Sequence, residues 1–317
     1  MRKSVWITAL SLMAAGVLIV AIAFAALNFD LTKLDTNTYI DETFTISPII
    51  FSIDADIDTA DIQFHLSDDE KLRVECTQMT ESAPITAEVR DSVLYISQND
   101  NRAWYEHIGF FFRSPKITVY LPHPNANYDL KLRGSTCDVN ISQELTFRTI
   151  NARITTGDIQ CDAQVNTSLS LQTSTGNITC QDAYCNSINL KASTGRIWAV
   201  DLDCYELDIR TSTGDIRAKG CKTDILSVKA STGDVRIVDC SHSHLTVTTS
   251  TGDVNLDDCE SDYLCITTST GDVSGTIAGP MDIDCETNTG DIDVVDHGHG
   301  GLCRVTTDTG DIHITTN

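Results

Sequence analysis

Short runs of alternating apolar and polar residues recur throughout the second half of the chain, and each run surrounds the same polar tetrad. In one unit, Leu226 and Val228 precede a Ser-Thr-Gly-Asp tetrad at 231–234, and Val235 follows it. An apolar period of two is typical of β-strands. Glycine supplies the positive φ that many tight turns need. Each unit therefore predicts a strand, a tight turn, a second strand and a polar loop.

The unit repeats with a nearly constant length. A threonine precedes each repeated glycine, and an isoleucine or valine lies two positions after it. One unit cannot bury its apolar residues alone, whereas stacked units form a continuous core. The pattern predicts an all-β fold, a single-stranded parallel β-solenoid of 19-residue coils over residues 134–317. Seven glycine intervals are 19 residues and the last is 20, at Gly157, Gly176, Gly195, Gly214, Gly233, Gly252, Gly271, Gly290 and Gly310.

Residues 28–133 have a less regular pattern that still predicts strands. Alternation at 54–64, 72–76, 93–96 and 117–121 is typical of short strands. A solenoid needs its first edge covered, because an open strand edge pairs readily with other chains. We therefore interpret residues 28–133 as an irregular β cap region that continues into the solenoid.

An aromatic loop separates two of the predicted cap strands. Its rings could pack over the end of the solenoid, or they could form an exposed contact with a membrane or a partner. The candidate contact residues are Trp104, Tyr105, Phe110, Phe111 and Phe112.

The N-terminal segment has the composition of a membrane anchor. An uncharged apolar run of 23 residues occupies positions 5–27, long enough to span a bilayer. Arg2 and Lys3 precede it, which predicts residues 1–4 in the cytoplasm and an extracytoplasmic body. A cleaved signal peptide is the alternative, because small residues near Ala23 could form a cleavage site. We favour a single-pass transmembrane helix in the cell membrane.

The chain is strongly acidic, with a formal net charge of −23 and a pI near 4.4. Binding to nucleic acid needs clustered cations, so we expect no nucleic-acid partner. Docking on anionic lipid is disfavoured for the same reason. An acidic, well-solvated surface suits an extracellular medium.

Several short motifs carry a resemblance to a known family. They are TADIQF at 59–64, VLYIS at 93–97, ITVYLP at 117–122, and serial STGD turns at 212–215, 231–234, 250–253 and 269–272. With these motifs the chain resembles, over most of residues 50–317, a bacterial family of putative adhesins. That family is a domain of unknown function that often carries an N-terminal membrane anchor. The resemblance implies a cell-envelope protein, with a role beside envelope-stress regulators as a second implication, and it assigns no functional residue.

An aspartate follows the repeated glycine in most coils, which predicts a column of carboxylates. Like charges one coil apart repel by roughly 1 kcal/mol in water. Each carboxylate could cap its own turn by accepting hydrogen bonds from Ser, Thr and backbone N–H groups. Alternatively, neighbouring carboxylates could bind Ca²⁺, and no other cofactor is predicted. The calcium candidates are Asp215, Asp234, Asp253, Asp272 and Asp291.

Basic residues share two outward positions on successive coils. In so acidic a chain they could hold an anionic cell-wall polymer, or they could simply neutralise nearby carboxylates. The polymer-binding candidates are Lys191, Arg210 and Lys229 in one position and Arg217 and Arg236 in the other.

Cysteine and histidine also recur at fixed positions. The twelve cysteines form short ladders such as Cys161/Cys180 and Cys185/Cys204. A packed ladder of thiols is the favoured interpretation, with disulfides between coils as the alternative. The pairs His242/His244 and His297/His299 show no third ligand, so no metal site is predicted for them.

The repeats distribute near-identical residues along the chain, whereas catalysis needs one asymmetric cluster. We therefore predict no catalytic residue and no enzyme, with a carbohydrate-active solenoid enzyme as a remote alternative. The first hypothesis is an adhesin or scaffold that binds an envelope polymer or protein. The second is an envelope-stress sensor or modulator that acts with a membrane partner. Because the last predicted strands at Ile312 and Ile314 have no cap after them, we also expect a C-terminal edge that either pairs with another copy of the chain or is covered by the loop at 297–301.

Overall fold

The structure is a computed structural model that describes residues 12–18, 22, 25, 39–79, 84–100, 114–295 and 300–317. Residues 12–18 are helical. The described part of the chain contains no helix that is long and apolar enough to cross a membrane. Most of the predicted transmembrane helix at 5–27 lies outside the described residues.

Most of the described body is β-strand. The strands are β1 Tyr39–Ile46, β2 Ser52–Ile57, β3 Asp61–Leu66, β4 Leu72–Met79, β5 Ile85–Arg90, β6 Val93–Gln98, β7 Lys116–Leu121, β8 Tyr128–Thr136, β9 Val139–Ile141, β10 Thr146–Thr156, β11 Ile159–Cys161, β12 Gln164–Thr175, β13 Ile178–Gln181, β14 Tyr184–Thr194, β15 Ile197–Val200, β16 Asp203–Thr213, β17 Ile216–Lys219, β18 Lys222–Thr232, β19 Val235–Val238, β20 Ser241–Thr248, β21 Val254–Thr270, β22 Val273–Ala278, β23 Met281–Thr289, β24 Ile292–Val295, β25 Gly301–Thr309 and β26 Ile312–Thr316.

The predicted solenoid is confirmed. Each coil contributes one strand to each of two parallel ladders, before and after the glycine turn. Equivalent residues of successive coils pair directly, as Leu207 pairs with Leu226 in one ladder and Ile216 with Val235 in the other. Paired residues of neighbouring coils are therefore 19 positions apart in the sequence, which is the length of the repeat.

The interior is a continuous row of small apolar side chains. Inward positions of the repeats hold Ile, Leu, Val, Ala and Cys, and nearly all of them are buried. Among the described residues, buried Phe and Tyr rings occur only near the first coils, where Phe147 packs edge-on against Phe64 at 6.4 Å and lies 6.3 Å from Tyr128. Branched aliphatic residues fill so narrow a core, which explains why the chain needs few aromatic residues.

The turns require glycine for a steric reason as well as for its backbone conformation. Gly195 has a φ of +149°, and a Cβ placed on it would lie 1.8 Å from the carbonyl oxygen of Gly176 in the preceding coil. Neighbouring turns therefore touch backbone to backbone. Any side chain at this position would force the coils apart.

The N-terminal end of the stack does not follow the order of the chain. The first coil, β2 and β3, lies between the coil of β6 and β7 and the coil of β8 and β9. Antiparallel strands then cover the outer edge, with β5 on β6 and β4 on β7, followed by β1. The expected boundary between residues 133 and 134 lies within β8.

The C-terminal end also departs from chain order. The last coil, β25 and β26, lies between the coil of β21 and β22 and the coil of β23 and β24. The expectation that Ile312 and Ile314 form the open edge is therefore wrong, since their strand β26 pairs with β22 on one side and with β24 on the other. The outer edge belongs to β23 and β24, where Ile292 is 47% and Val295 42% exposed.

Candidate binding surfaces

The main cationic candidates lie side by side on the outside of one ladder. Lys191 pairs in register with Arg210, and Arg210 with Lys229. All three side chains are exposed. Because neighbouring strands are about 4.8 Å apart, the three charges form a short straight row along the stack.

Nearby acids neutralise only part of this row. Arg210 donates to Asp208 in its own coil at 2.8 Å, and Asn189 also donates to Asp208. Within the described residues, Lys191 and Lys229 have no ion pair closer than 4.0 Å. Two of the three predicted cations therefore remain available to a ligand.

The row extends further than the sequence interpretation recognised. Gln172 pairs with Lys191 and with Arg153, and Arg153 pairs with Arg133. Arg153 donates to the amide oxygen of Gln172 and makes no ion pair with a described residue. Position alone could have found these residues, because each cation lies four residues before its turn glycine or the equivalent Cys137. We call Arg153, Gln172, Lys191, Arg210 and Lys229 the basic row.

The second candidate position lies on the other ladder. Arg217 pairs in register with Arg236, and half-buried Trp198 pairs with Arg217. Arg236 has an ion pair with Asp257 at 3.6 Å. These two arginines therefore form a shorter, partly neutralised group across the turn from the basic row.

The aspartate column forms a hydrogen-bonded ladder between coils. The backbone N–H of Asp253 donates to Asp234 Oδ1 at 3.0 Å, and that of Asp272 donates to Asp253 Oδ1 at 2.9 Å. Each carboxylate thus caps the turn of the next coil, and not its own turn as expected. The order is also corrected, since Asp311 lies between Asp272 and Asp291.

Calcium binding by this column stays a prediction. Asp215 accepts the N–H of Asp234 through Oδ1, and its Oδ2 forms an ion pair with Arg196 at 3.4 Å. Among the residues that the structure describes, no group of three or more His, Cys, Asp or Glu side chains is arranged to hold a metal ion.

The cysteine ladders are present as buried thiols. Cys161 pairs in register with Cys180, and Cys185 with Cys204. Burial raises the pKa of Cys204 to about 12 and that of Cys259 to about 11. These thiols are therefore protonated at neutral pH, which makes them poor nucleophiles.

Two predicted features fall outside the described residues. The candidate contact residues Trp104, Tyr105, Phe110, Phe111 and Phe112 all belong to the segment 101–113. His297 and His299 belong to the segment 296–299, so their pairing is likewise not described.

Comparison with solved structures finds chains of similar outline at low identity. A protein named as a putative adhesin from Bacteroides fragilis NCTC 9343 has 13% identity and a TM-score of 0.41, over 89% of this chain and 98% of its own. A putative lipid binding protein from Parabacteroides distasonis ATCC 8503 has 16% identity and a TM-score of 0.43, over 87% and 96% respectively. Such values support no argument about function.

Sequence comparison gives a firmer result. The family model described as Toastrack DUF4097 matches residues 50–238 and 220–317, which together span the whole stacked body. Among curated proteins, no sequence matches the chain significantly.

Proposed function

The chain belongs to the Toastrack DUF4097 family, and we propose that it is a non-enzymatic scaffold of the cell envelope that binds an anionic polymer along its basic row. This proposal is the adhesin or scaffold hypothesis with the basic row as the binding surface. Its ligand class is a linear chain with repeated phosphate or carboxylate groups.

The observation that carries this proposal is the basic row itself. Arg153, Lys191 and Lys229 are exposed cations without an ion pair among the described residues, on a chain of net charge −23. Like charges on neighbouring strands repel, so the row costs stability unless an anion offsets it. A polymer with regularly spaced negative groups meets this requirement better than a single small anion, because the coils hold the cations at regular intervals.

A binding role also agrees with the chemistry of the interior. Thiols such as Cys204 and Cys259 are buried with raised pKa values, and the outward positions repeat from coil to coil. Catalysis needs a unique cluster of activated groups. We therefore propose binding without a chemical step.

We further propose that the body acts outside the cell and is attached to the membrane through residues 5–27. The support is the apolar run and the two cations that precede it. A membrane-attached rod would present the basic row to polymers of the envelope.

The proposal is tested with defined polyanions. The protein used is the chain without residues 1–27, which we call the soluble body. Isothermal titration of the soluble body with polyphosphate and with polygalacturonate separates phosphate recognition from carboxylate recognition. The triple variant Lys191→Glu, Arg210→Glu, Lys229→Glu should weaken binding by at least about tenfold, because three surface contacts become repulsive. Binding should also weaken as salt is added.

A matched control keeps the total charge change equal. The triple variant Lys71→Glu, Lys116→Glu, Lys219→Glu alters three exposed lysines away from the basic row. It should bind both polymers nearly as well as the wild type. Equal losses in the two triple variants, or no binding by the wild type, would refute the proposal.

A further inference from the structure

A second row of outward side chains runs along the other ladder, across the turn from the basic row. Thr179 pairs in register with Trp198, and Trp198 with Arg217. Arg217 pairs in the same way with Arg236. We call these four residues the Trp198 row, and at the spacing of neighbouring strands it is roughly 14 Å long. An aromatic ring is therefore held between a hydroxyl on one side and two guanidinium groups on the other.

Trp198 interrupts a column of polar residues. Trp198 and Val200 are the two outward side chains of β15, and both are half-buried. The indole makes no hydrogen bond, aromatic contact or cation–π contact with a described residue. Its apolar surface is therefore open to a ligand. The equivalent positions of the neighbouring coils hold Gln160, Thr179, Arg217, Arg236 and Asn255.

The two arginines beside the ring are available to an anion, and both are exposed. Arg217 has no ion pair within 4.0 Å among the described residues, and Arg236 has one, with Asp257 at 3.6 Å. Such exposed pairs contribute little to stability, so a ligand can displace Asp257. No outward position of β13, β15, β17 or β19 carries an acid, although the chain has a net charge of −23. The row is thus a local positive area on an acidic protein, which favours an anionic ligand.

A sugar ring that carries a carboxylate matches this arrangement. A pyranose ring has an apolar face of C–H groups that packs on an aromatic side chain, and a rim of hydroxyls that hydrogen-bond with polar groups. A guanidinium group binds a carboxylate through two parallel hydrogen bonds. A small inorganic anion leaves Trp198 unused, and an uncharged sugar leaves the two arginines unused. The combination therefore favours a hexuronate.

We infer that the Trp198 row binds an acidic oligosaccharide of hexuronate units, which lies along the stack. One ring packs on Trp198 and Val200, and the neighbouring unit places its carboxylate on Arg217 and Arg236. The Thr179 hydroxyl has no hydrogen bond with a described residue, and it bonds to a hydroxyl of the sugar. No residue of this row belongs to the basic row, so the inference is independent of polymer binding there.

Calorimetric titration of the full chain with trigalacturonate, in a detergent without a sugar headgroup, tests the inference. The wild type should bind with saturation, at about one trisaccharide per chain. Trp198→Ala should weaken binding by at least about tenfold, because the ring surface is lost, and Trp198→Phe should weaken it less. The double variant Arg217→Gln, Arg236→Gln should also lose about tenfold. Maltotriose, which has no carboxylate, should bind at least about tenfold more weakly than trigalacturonate.

A matched control separates this row from the basic row. The double variant Lys191→Gln, Lys229→Gln removes the same charge from the basic row and should leave trigalacturonate binding unchanged. Because both arginines of the Trp198 row are exposed, their double variant keeps the test valid even if Trp198→Ala does not fold. No saturable binding by the wild type, undiminished binding by folded Trp198→Ala, equal losses in the two double variants, or equal binding of maltotriose would each overturn the inference.

Discussion

The glycine at each turn allows neighbouring coils to stack closely, because it has no side chain between the two backbones. At Gly233, φ is +135° and an added Cβ would lie 2.2 Å from the carbonyl oxygen of Gly214. The sequence predicted the positive φ from the Thr-Gly-Asp pattern. It could not show the contact between neighbouring turns, because that contact depends on how the coils stack.

We expect Gly233→Ala to destabilise the protein by more than about 2 kcal/mol, because the methyl group collides with a fixed backbone atom in addition to straining φ. Gly279→Ala is the matched control. Its φ is +87°, but no heavy atom lies within 4 Å of the added Cβ, so it should cost only about 1 kcal/mol. Urea unfolding of both variants measures the difference, and equal losses would contradict the steric account.

His242 links stability to pH. Burial lowers its pKa to about 4, below its ordinary 6.5. Between these values the unfolded chain takes up a proton that the folded chain does not, so stability falls as pH falls through this window. His242→Gln removes this proton uptake, and its stability relative to the wild type should improve by roughly 3 kcal/mol from about pH 7 to about pH 4.

Urea unfolding of both proteins at the two pH values measures this effect. The charged residues around position 242 are the same in both proteins, so the comparison isolates the effect of the histidine; they are Asp203, Lys222, Asp224, Glu260 and Asp262. A constant difference between the proteins at both pH values would contradict the buried, neutral state of His242.

The aspartate ladder explains how a column of like charges persists. Each Oδ1 accepts the N–H of the next coil, and Asn177 makes the same contact with the N–H of Arg196 at 3.0 Å. An asparagine therefore provides the hydrogen bond without the charge. The sequence showed the column, but the partner of each carboxylate became clear only from the stacking.

We expect Asp253→Asn to keep or slightly raise stability, because it keeps the acceptor and removes repulsion from its neighbours. Asp253→Ala should lose about 1 kcal/mol, since the N–H of Asp272 loses its partner. Thermal unfolding with and without Ca²⁺ compares the two variants. A large Ca²⁺-dependent stabilisation of the wild type that both variants lack would show that cation binding dominates instead.

The order of coils at the two ends could not be predicted from the sequence. A repeated apolar pattern specifies which residues face the core, as with Leu226 and Val228, but every coil offers a similar edge to its neighbours. The chain places β2 and β3 between later strands at one end, and β25 and β26 between earlier strands at the other. The first and last coils of the chain therefore each pair with a neighbouring coil on both sides.

The exposed outer edge makes self-association a prediction for β23 and β24. Ile292 and Val295 are exposed there, and each strand pairs on one side only among the described residues. Ile292→Lys should reduce association of the soluble body at high concentration, because a charge on an edge strand opposes pairing. Light scattering over a concentration series measures this, with Ile312→Val as a buried control. A wild type that stays monomeric throughout would contradict the prediction.

The whole molecule is a rod whose regular coils place the basic row at fixed intervals, and binding to that row is the central claim. Its most direct test is the affinity of the soluble body for polyphosphate chains of increasing length. Affinity should rise until a chain spans Arg153 to Lys229, roughly 20 Å at the spacing of β-strands, and then level off. An affinity that does not depend on chain length, or that is unchanged in the Lys191→Glu, Arg210→Glu, Lys229→Glu variant, would contradict the account.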